Sequence, residues 1–337
     1  MRRRTMIAGM AALAVARPAL GLEQTGAWQA WRDRFVAPDG RVIDDGNGGI
    51  SHSEGQAYGQ ILAEVFDDRE AFERMERWTR DHIANRQDAL MSWKWDPSRP
   101  DSIPDWHNAT DGDLLRAWAH LRAARDRGWP VDQEVPAAIT RDIVGLCLAP
   151  DPRRPDALLL MPGAEALSQP DRVLVNPSYY HPRAMRELAD AYGQPDLARA
   201  ADHGETLLAE LAATGLLPDW VTVTPKGFVD PRDHDYRSSY DALRIPIYLA
   251  WSGRGDHPAV AGMATMLARA DLPDHVAVRV EADGAVTAIS NEPGYRAIAQ
   301  VASDQIVPLS PGDFATQPYF PATLQMLAYV AHAESRG

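Results

Sequence analysis

A helical spacing of apolar residues recurs along almost the whole chain, and it is the feature that most limits the fold. In the segment 113–121, four apolar positions form one stripe of an amphipathic helix, namely Leu114, Leu115, Trp118 and Leu121. The same spacing predicts helices over 55–66, 71–82, 184–192, 197–213, 240–251, 259–270 and 322–333. A chain of this pattern is predicted to be mainly helical.

Strand signals are few by comparison. The segments 276–281 and 285–289 flank Asp283-Gly284, which predicts a hairpin, and 221–223 is a candidate for a second one. The segments 95–100 and 149–155, rich in Pro, Gly and Asp, are predicted connections. The sequence lacks a low-complexity linker, so we expect one domain over 22–337. A closed ring of helical hairpins would suit this length, although periodicity cannot establish closure.

The first 21 residues are predicted to be an export signal peptide. Arg2, Arg3 and Arg4 precede an apolar stretch over 6–16, and small residues follow up to Gly21. This stretch is shorter than the about 20 residues that a membrane span needs. We therefore expect a periplasmic or secreted protein with no membrane span once the signal is removed.

Charge and metal-binding patterns limit the partners. The net charge of −13 argues against nucleic acid, since phosphate binding needs a basic face. The single cysteine, Cys147, cannot form an intrachain disulfide and lies in an apolar run that predicts burial. The ten histidines are scattered without metal-ligand spacing, so we predict no metal and no cofactor.

Three segments place carboxylates at the start of predicted helices: 51–59, 108–113 and 238–244. Their spacings, Ser51 to Glu54, Thr110 to Asp113 and Ser238 to Asp241, are those of helix-capping boxes. Capping is the better explanation for any one of them alone. Three such segments in one chain, with aromatic residues close by and glycine in two of them, favour a binding cleft.

These three segments, together with 176–182 and 217–220, resemble the ordered sequence blocks of glycoside hydrolase family eight. The resemblance runs from about Gly46 to Tyr329 and is greatest to the endo-β-1,4-glucanases that accompany bacterial cellulose synthase. It implies an (α/α)6 barrel and inverting hydrolysis of β-1,4-glucan, meaning cellulose and cello-oligosaccharides. It also implies Glu54 as general acid, Asp241 as general base and Asp111 as the residue that holds the sugar at the cleavage point.

Those roles impose electrostatic conditions. The helix dipole favours the ionised form of Glu54, which is wrong for an acid, so burial or an anionic Asp111 would have to keep it protonated. Asp241 must instead stay ionised, and Arg244, three residues on, could ensure this. An ordinary surface ion pair between Asp241 and Arg244 explains that spacing equally well.

Binding a β-glucan requires aromatic platforms, because pyranose rings present flat C–H faces. Trp93 or Trp95, with Tyr179, are the predicted stacking residues. Four further substrate contacts are predicted from their places in or beside the blocks: Tyr180, Tyr240, Asn108 and Arg244. Four tryptophans inside helical periods are predicted to be core residues, namely Trp28, Trp31, Trp78 and Trp118.

Two kinds of alternative remain. Within the enzyme class, a xylanase, a chitosanase or a mixed-linkage glucanase fits the same resemblance. Outside it, the chain would be a non-catalytic glycan-binding component of a cellulose synthase complex. The acid pair Glu54 and Asp241 disfavours that second alternative, since a binding module has no need of it.

Overall fold

The computed structural model describes residues 22–336, so the predicted signal peptide over 1–21 lies outside the described residues. Within 22–336 the chain forms eleven α-helices: α1 Leu22–Phe35, α2 Ser53–Val65, α3 Arg69–His82, α4 Thr110–Arg127, α5 Glu134–Leu146, α6 Pro182–Tyr192, α7 Pro195–Ala213, α8 Ile245–Trp251, α9 Pro258–Leu267, α10 Pro293–Ala302 and α11 Tyr319–Glu334. Short 3-10 turns cover Pro177–Tyr179, Ala242–Arg244 and Pro311–Phe314.

Eleven short strands in the same range form four antiparallel sheets. They are β1 Ser51–His52, β2 Lys94–Trp95, β3 Leu148–Asp151, β4 Arg154–Leu160, β5 Ser168–Gln169, β6 Arg172–Val175, β7 Val221–Thr224, β8 Gly227–Val229, β9 Arg237–Ser238, β10 Val276–Glu281 and β11 Val286–Ser290. The sheets pair β1 with β2, β3 with β4, β5 through β8 in order, and β9, β10 and β11 with β10 central. None of them is large enough to form a core of its own.

The helices form two concentric rings. The inner ring runs α2, α4, α6, α8, α10 and α11, each packed on the next, and α11 closes it against α2. Helices α1, α3, α5, α7 and α9 lie outside, and the turn Pro311–Phe314 beside α1 takes the sixth outer place. Almost every residue of α2 is buried, whereas α3 buries one face, as expected for inner and outer positions. The predicted (α/α)6 barrel is confirmed.

The predicted helices are present, with α9 ending at Leu267 and not at 270, and with a later start for α8. The stretch 240–251 begins as the 3-10 turn Ala242–Arg244 and becomes α-helical only from Ile245. Pro246 in the first turn of α8 suits a helix start, because its missing N–H would have no partner there. Asp241 therefore lies before the helix and not within it.

The strand prediction was incomplete. The segment 149–155, predicted as a connection, instead forms most of β3 and the start of β4. The first three residues of β4 are exposed and burial rises only towards Leu160, so no alternation marks this strand. The predicted hairpin over 276–289 is present as β10 and β11, and β7 and β8 form the second.

The predicted core residues are buried. Trp28, Trp31, Trp78 and Trp118 are each at most 2% exposed, and Cys147 is fully buried. Across residues 22–336, every helix is too short or too polar to cross a membrane.

Candidate active site

A cavity of about 980 Å³ opens at the end of the barrel where α2 and α4 begin. Its lining includes Glu54, Asp111, Asp241 and Arg244. The carboxylates come from three separate segments, which the closed inner ring brings together.

The start of α2 fixes Glu54. Strand β1 leads directly into this helix, and His52 caps it, since its Nδ1 accepts a hydrogen bond from the Gly55 amide at 3.0 Å. A Cβ atom on Gly112, in the first turn of α4, would lie 2.7 Å from the Glu54 backbone nitrogen. Glycine at 112 thus allows the starts of the two helices to touch, as expected for a glycine in a cleft segment.

Arg244 connects the three carboxylates. Its Nη1 donates to Asp111 Oδ2 at 3.0 Å and also contacts Glu54 Oε1. Its Nη2 donates to Asp241 Oδ1 at 2.8 Å and to Ser178 Oγ at 2.7 Å. The arginine is 2% exposed, so the predicted pairing with Asp241 is present and is not a surface ion pair.

Burial sets the charge of this cluster. It lowers the pKa of Arg244 to about 10, which still leaves the guanidinium protonated at neutral pH. It raises the pKa of Asp111 to about 7, although the Gly112 amide donates to Asp111 Oδ1 at 2.8 Å. One cation among three carboxylates leaves an excess of acidic groups in a desolvated place.

Asp241 has a distinct environment. Asn176 Nδ2 donates to its Oδ2 at 3.0 Å, and its side chain is 33% exposed to the cavity. Burial, then the negative charges of Asp219 and Asp111, raise its pKa. The ion pair with Arg244 opposes that shift, so Asp241 is a carboxylate of raised basicity held beside a cation.

Asp219 is a site residue that the sequence did not single out. It is 6% exposed, and its Oδ1 accepts from the amides of Ser239 and Ala242 at 2.8 and 2.9 Å. It thereby holds the turn that carries Asp241. It lies in the block 217–220, but its role depends on a partner 20 residues away, and no local pattern reveals that.

A pair of tyrosines supports Glu54. Tyr58 Oη donates to Glu54 Oε1 at 2.8 Å and lies 2.5 Å from Tyr248 Oη. Both tyrosines are 1% exposed. Since Tyr58 donates to the carboxylate, its oxygen accepts from Tyr248, and the two hydroxyls fix the orientation of Glu54.

The capping-box explanations were wrong for all three segments. His52, and not Ser51, caps α2, while Ser51 Oγ donates to the Val42 carbonyl. Thr110 Oγ1 donates to the Met161 carbonyl, and α4 has no side-chain cap. The side chain of Asp241 caps nothing either. Glu54, Asp111 and Asp241 line the cavity, while Asp113 accepts from Asn108 and from the Met91 amide.

Aromatic side chains form the cavity walls. Of the predicted contacts, Trp93, Tyr179 and Tyr240 line the cavity, and Tyr240 is 40% exposed. Trp220 also lines it and stacks on His234 with ring centroids 4.1 Å apart. Trp220 belongs to the block 217–220 but was not among the predicted substrate contacts.

Two predicted aromatic contacts lie elsewhere. Trp95 is outside the cavity lining and packs edge-on against Trp78, with ring centroids 5.5 Å apart. Tyr180 is 1% exposed, and its hydroxyl accepts from the Leu160 amide at 2.8 Å, so a sugar cannot reach it. Tyr179 and Tyr180 are adjacent and point to opposite sides, whereas Trp93 lies at a bend before β2 and Trp95 lies within that strand.

Asn108 lines the cavity, but its amide group is already used. Its Nδ2 donates to Asp113 Oδ2 at 2.9 Å, and its Oδ1 accepts from the Ala164 amide at 2.7 Å. Its position therefore favours a role in holding the loop before α4. Among residues 22–336, no group of three or more His, Cys, Asp or Glu side chains could hold a metal ion.

Comparison with known proteins gives the family. A family model described as glycosyl hydrolases family 8 matches residues 1–332. A probable endoglucanase from Novacetimonas hansenii is 32% identical over 315 residues, covering 91% of this chain and 90% of that protein. An endoglucanase from Cellulomonas uda is 34% identical over 230 residues, which span 67% of this chain and 63% of that relative.

Among solved structures, the endo-beta-1,4-glucanase CMCax from Acetobacter xylinum is similar with a TM-score of 0.82 at 30% identity, covering 94% of this chain and 99% of that one. The chain belongs to glycosyl hydrolase family 8. The resemblance noted in the sequence is confirmed, and the protein is a glycoside hydrolase.

Proposed function

We propose that this protein is an endo-β-1,4-glucanase that cleaves β-1,4-glucan within the chain by an inverting mechanism. The observation that carries the proposal is the arrangement of Glu54 and Asp241 on two nitrogens of the same guanidinium, at the floor of an open cavity. The similarity to the endoglucanases named above supports the choice of substrate.

In the proposed reaction, Glu54 donates its proton to the glycosidic oxygen as that bond breaks. Asp241 takes a proton from a water molecule that attacks the anomeric carbon from the opposite face, so the configuration inverts. Inverting enzymes separate the two carboxyl groups by about 6.5–9.5 Å to leave room for this water. A raised pKa makes Asp241 a stronger base, and the hydrogen bond from Arg244 favours its ionised form.

Asp111 is proposed to hold the sugar at the cleavage point and to keep Glu54 protonated. Its carboxylate shares the Arg244 Nη1 atom with Glu54, so the two acids compete for one positive charge. Asp111→Asn then moves the basic limb of the pH–rate profile to lower pH. A reduced rate with an unchanged limb would leave only the sugar-binding role.

The aromatic walls are proposed to bind the glucan chain. Trp93, Tyr179, Trp220 and Tyr240 present rings to the cavity, and such rings pack on the C–H faces of pyranose units. These neutral platforms need no charge on the substrate, which agrees with an uncharged glucan.

The test is hydrolysis of carboxymethylcellulose, xylan and chitosan by the wild type and by Glu54→Gln and Asp241→Asn. We expect rapid viscosity loss on carboxymethylcellulose alone, abolished in both variants. Glu73→Gln and Asp202→Asn are matched controls, because both acids lie in exposed ion pairs, and they retain activity. Cleavage of another polymer would replace the substrate, while sugar binding without hydrolysis in the wild type would make the chain a non-catalytic binding component.

The stereochemical part is tested on cellopentaose by NMR of the first products. Inversion of a β-linkage gives the α-anomer before mutarotation, and an initial β-anomer would contradict the two-carboxylate arrangement with an intervening water.

Export and a cellulose-synthesis context complete the proposal. The basic and apolar pattern over 1–21 supports a signal peptide, and hence a periplasmic or secreted enzyme. The sequence resemblance to glucanases that accompany cellulose synthase supports an association with that complex. Amino-terminal sequencing of the exported protein and co-purification with the synthase test these two points.

A further inference from the structure

Trp106 lies outside the cavity and its side chain is exposed to solvent. Trp106 is 56% exposed, whereas Trp28, Trp31, Trp118 and Trp251 are at most 2% exposed. It does not line the cavity, but its chain neighbours Asp105 and His107 do. Trp106 therefore lies at the cavity rim. Tryptophan is enriched at binding interfaces, because its ring offers a large apolar face beside a polar N–H group.

Two side chains contact the Trp106 ring, namely His107, with ring centroids 4.7 Å apart, and Arg86. The Arg86 guanidinium lies over the ring, with Cζ 5.1 Å from the ring centroid, and Arg86 Nη1 donates to the Trp106 carbonyl at 2.9 Å. Arg86 is itself fixed by ion pairs to Asp88 and Glu165, both at 2.7 Å. The arginine side chain is only 5% exposed, so it braces the ring from beneath.

The backbone around Trp106 is tied to the cavity wall. Trp93, which lines the cavity, donates from its Nε1 to Asp105 Oδ2 at 2.8 Å and from its backbone nitrogen to the His107 carbonyl at 2.8 Å. The residues on each side of Trp106 are thus bonded to one tryptophan of the cavity. A platform inside the cavity and one outside it belong to the same rigid unit.

The geometry points to Trp106 as an additional glucan-binding platform, beyond the cavity, that stacks on pyranose units of a long substrate chain. This inference rests on the proposed endoglucanase function. An uncharged, flat, braced ring matches the C–H face of a glucose unit, and its continuity with Trp93 gives the path of the chain. Short oligosaccharides held within the cavity would not reach Trp106, so the contact favours long chains.

The experiment compares Trp106→Ala with the wild type on carboxymethylcellulose and on cellotetraose. We expect the KM for carboxymethylcellulose to rise about fivefold, which is the size of one aromatic contact, with kcat unchanged. The kinetics on cellotetraose should stay within about twofold of the wild type. Trp106→Tyr should restore most of the affinity. Leu272→Ala, at another exposed apolar residue, should leave the kinetics on both substrates unchanged.

An unchanged KM for carboxymethylcellulose, or an equal change on both substrates, would overturn the inference. Gel retardation by hydroxyethylcellulose, measured in the Asp241→Asn background, tests glucan binding by Trp106 independently of the proposed hydrolysis. Retardation that is lost with Trp106→Ala supports the platform even if the wild type cleaves another polymer. Equal retardation of both proteins, or no retardation of either, would refute it.

Discussion

The two ends of the inner helices differ in how their buried carboxylates are paired with arginines. At the cavity end, Glu54, Asp111 and Asp241 share Arg244. At the other end, Glu64 closes α2 and Arg122 lies in the last turns of α4. These two are fully buried as a pair at 2.8 Å.

Further arginines serve the far end. Arg122 also pairs with Glu334 at 2.6 Å, Arg127 contacts Glu64, and Arg183 contacts Glu334. Glu64 and Glu334 thus each contact two arginines. Burial opposes ionisation of Glu334, but hydrogen bonding and charge from Arg122 outweigh it and lower its pKa. At the cavity end burial prevails and raises the pKa of Asp111 to about 7.

This difference indicates that the buried charges at the far end stabilise the fold, whereas those at the cavity end serve catalysis. An arginine network lowers the pKa of Glu334 and joins α2, α4 and α11. A carboxylate-rich cluster keeps proton affinity near neutral pH, which acid–base catalysis requires and which costs stability.

The largest expected effect comes from removing each central arginine. Arg122→Met leaves Glu64 and Glu334 buried beside fewer cations, and we expect it to lower the free energy of unfolding by about 3–5 kcal/mol. Arg244→Met should destabilise far less, because Asp111 and Asp241 can take up protons, but should abolish hydrolysis. Urea unfolding at pH 7 measures the stability of both variants.

Arg199→Met is the control for these variants, since the Arg199–Asp196 pair is more than 45% exposed on both sides. It should stay within about 0.5 kcal/mol of the wild type. Equal destabilisation by Arg122→Met and Arg244→Met would remove the distinction between the two ends.

The second prediction concerns pH. The pKa of Asp111 is about 7 in the folded protein and about 3.9 in an unfolded chain, so the folded state retains a proton that the unfolded state releases. Stability is therefore lost as pH rises from about 4 to about 7, and the loss is constant above that. Asp111→Asn should raise the free energy of unfolding at pH 7.5 by on the order of 2 kcal/mol, with little effect at pH 4.

Glu334→Gln provides the opposite case. Its lowered pKa gives stability that is present above the pKa of an unfolded glutamate and diminishes as pH falls. Denaturant titrations at pH 4 and 7.5 should therefore show this variant most destabilised at pH 7.5. A gain in stability there would contradict the assignment.

The smallest effect is expected at the contact between α2 and α4. Gly112→Ala places a methyl group 2.7 Å from the Glu54 nitrogen, so the helix starts must separate. We expect the free energy of unfolding to fall by about 1–3 kcal/mol, which is typical of overpacking. We expect kcat to fall by a larger fraction of its wild-type value than the free energy of unfolding does, because Glu54 moves. Gly145→Ala is the control, since open space surrounds that position. Loss of stability without loss of kcat would show that the contact only packs.

Local patterns predicted eight of the eleven helices described over 22–336, because the apolar spacing reports burial directly, but they gave no range for α1, α5 or α10. They did not predict β3 and β4, whose pairing depends on a partner strand and not on alternation. In the site, the sequence located Glu54, Asp111 and Asp241 through resemblance. It could not choose between Trp93 and Trp95, since that choice depends on a bend of the chain at Trp93, just before the two-residue strand β2.

Asp219 and the Tyr58–Tyr248 pair illustrate a second limit. Their partners are distant in the chain: the tyrosine hydroxyls meet across 190 positions. Only the closed ring makes these contacts, so a local pattern carries no trace of them.

The hydrogen bond from Arg244 to Asp111 spans 133 positions of the chain and has a consequence for refolding. Contacts of such long range form late, because the chain must first close the intervening loop. Helical circular dichroism should then recover before hydrolytic activity after dilution from urea. The time at which activity returns would then report when the two halves of the chain come into contact.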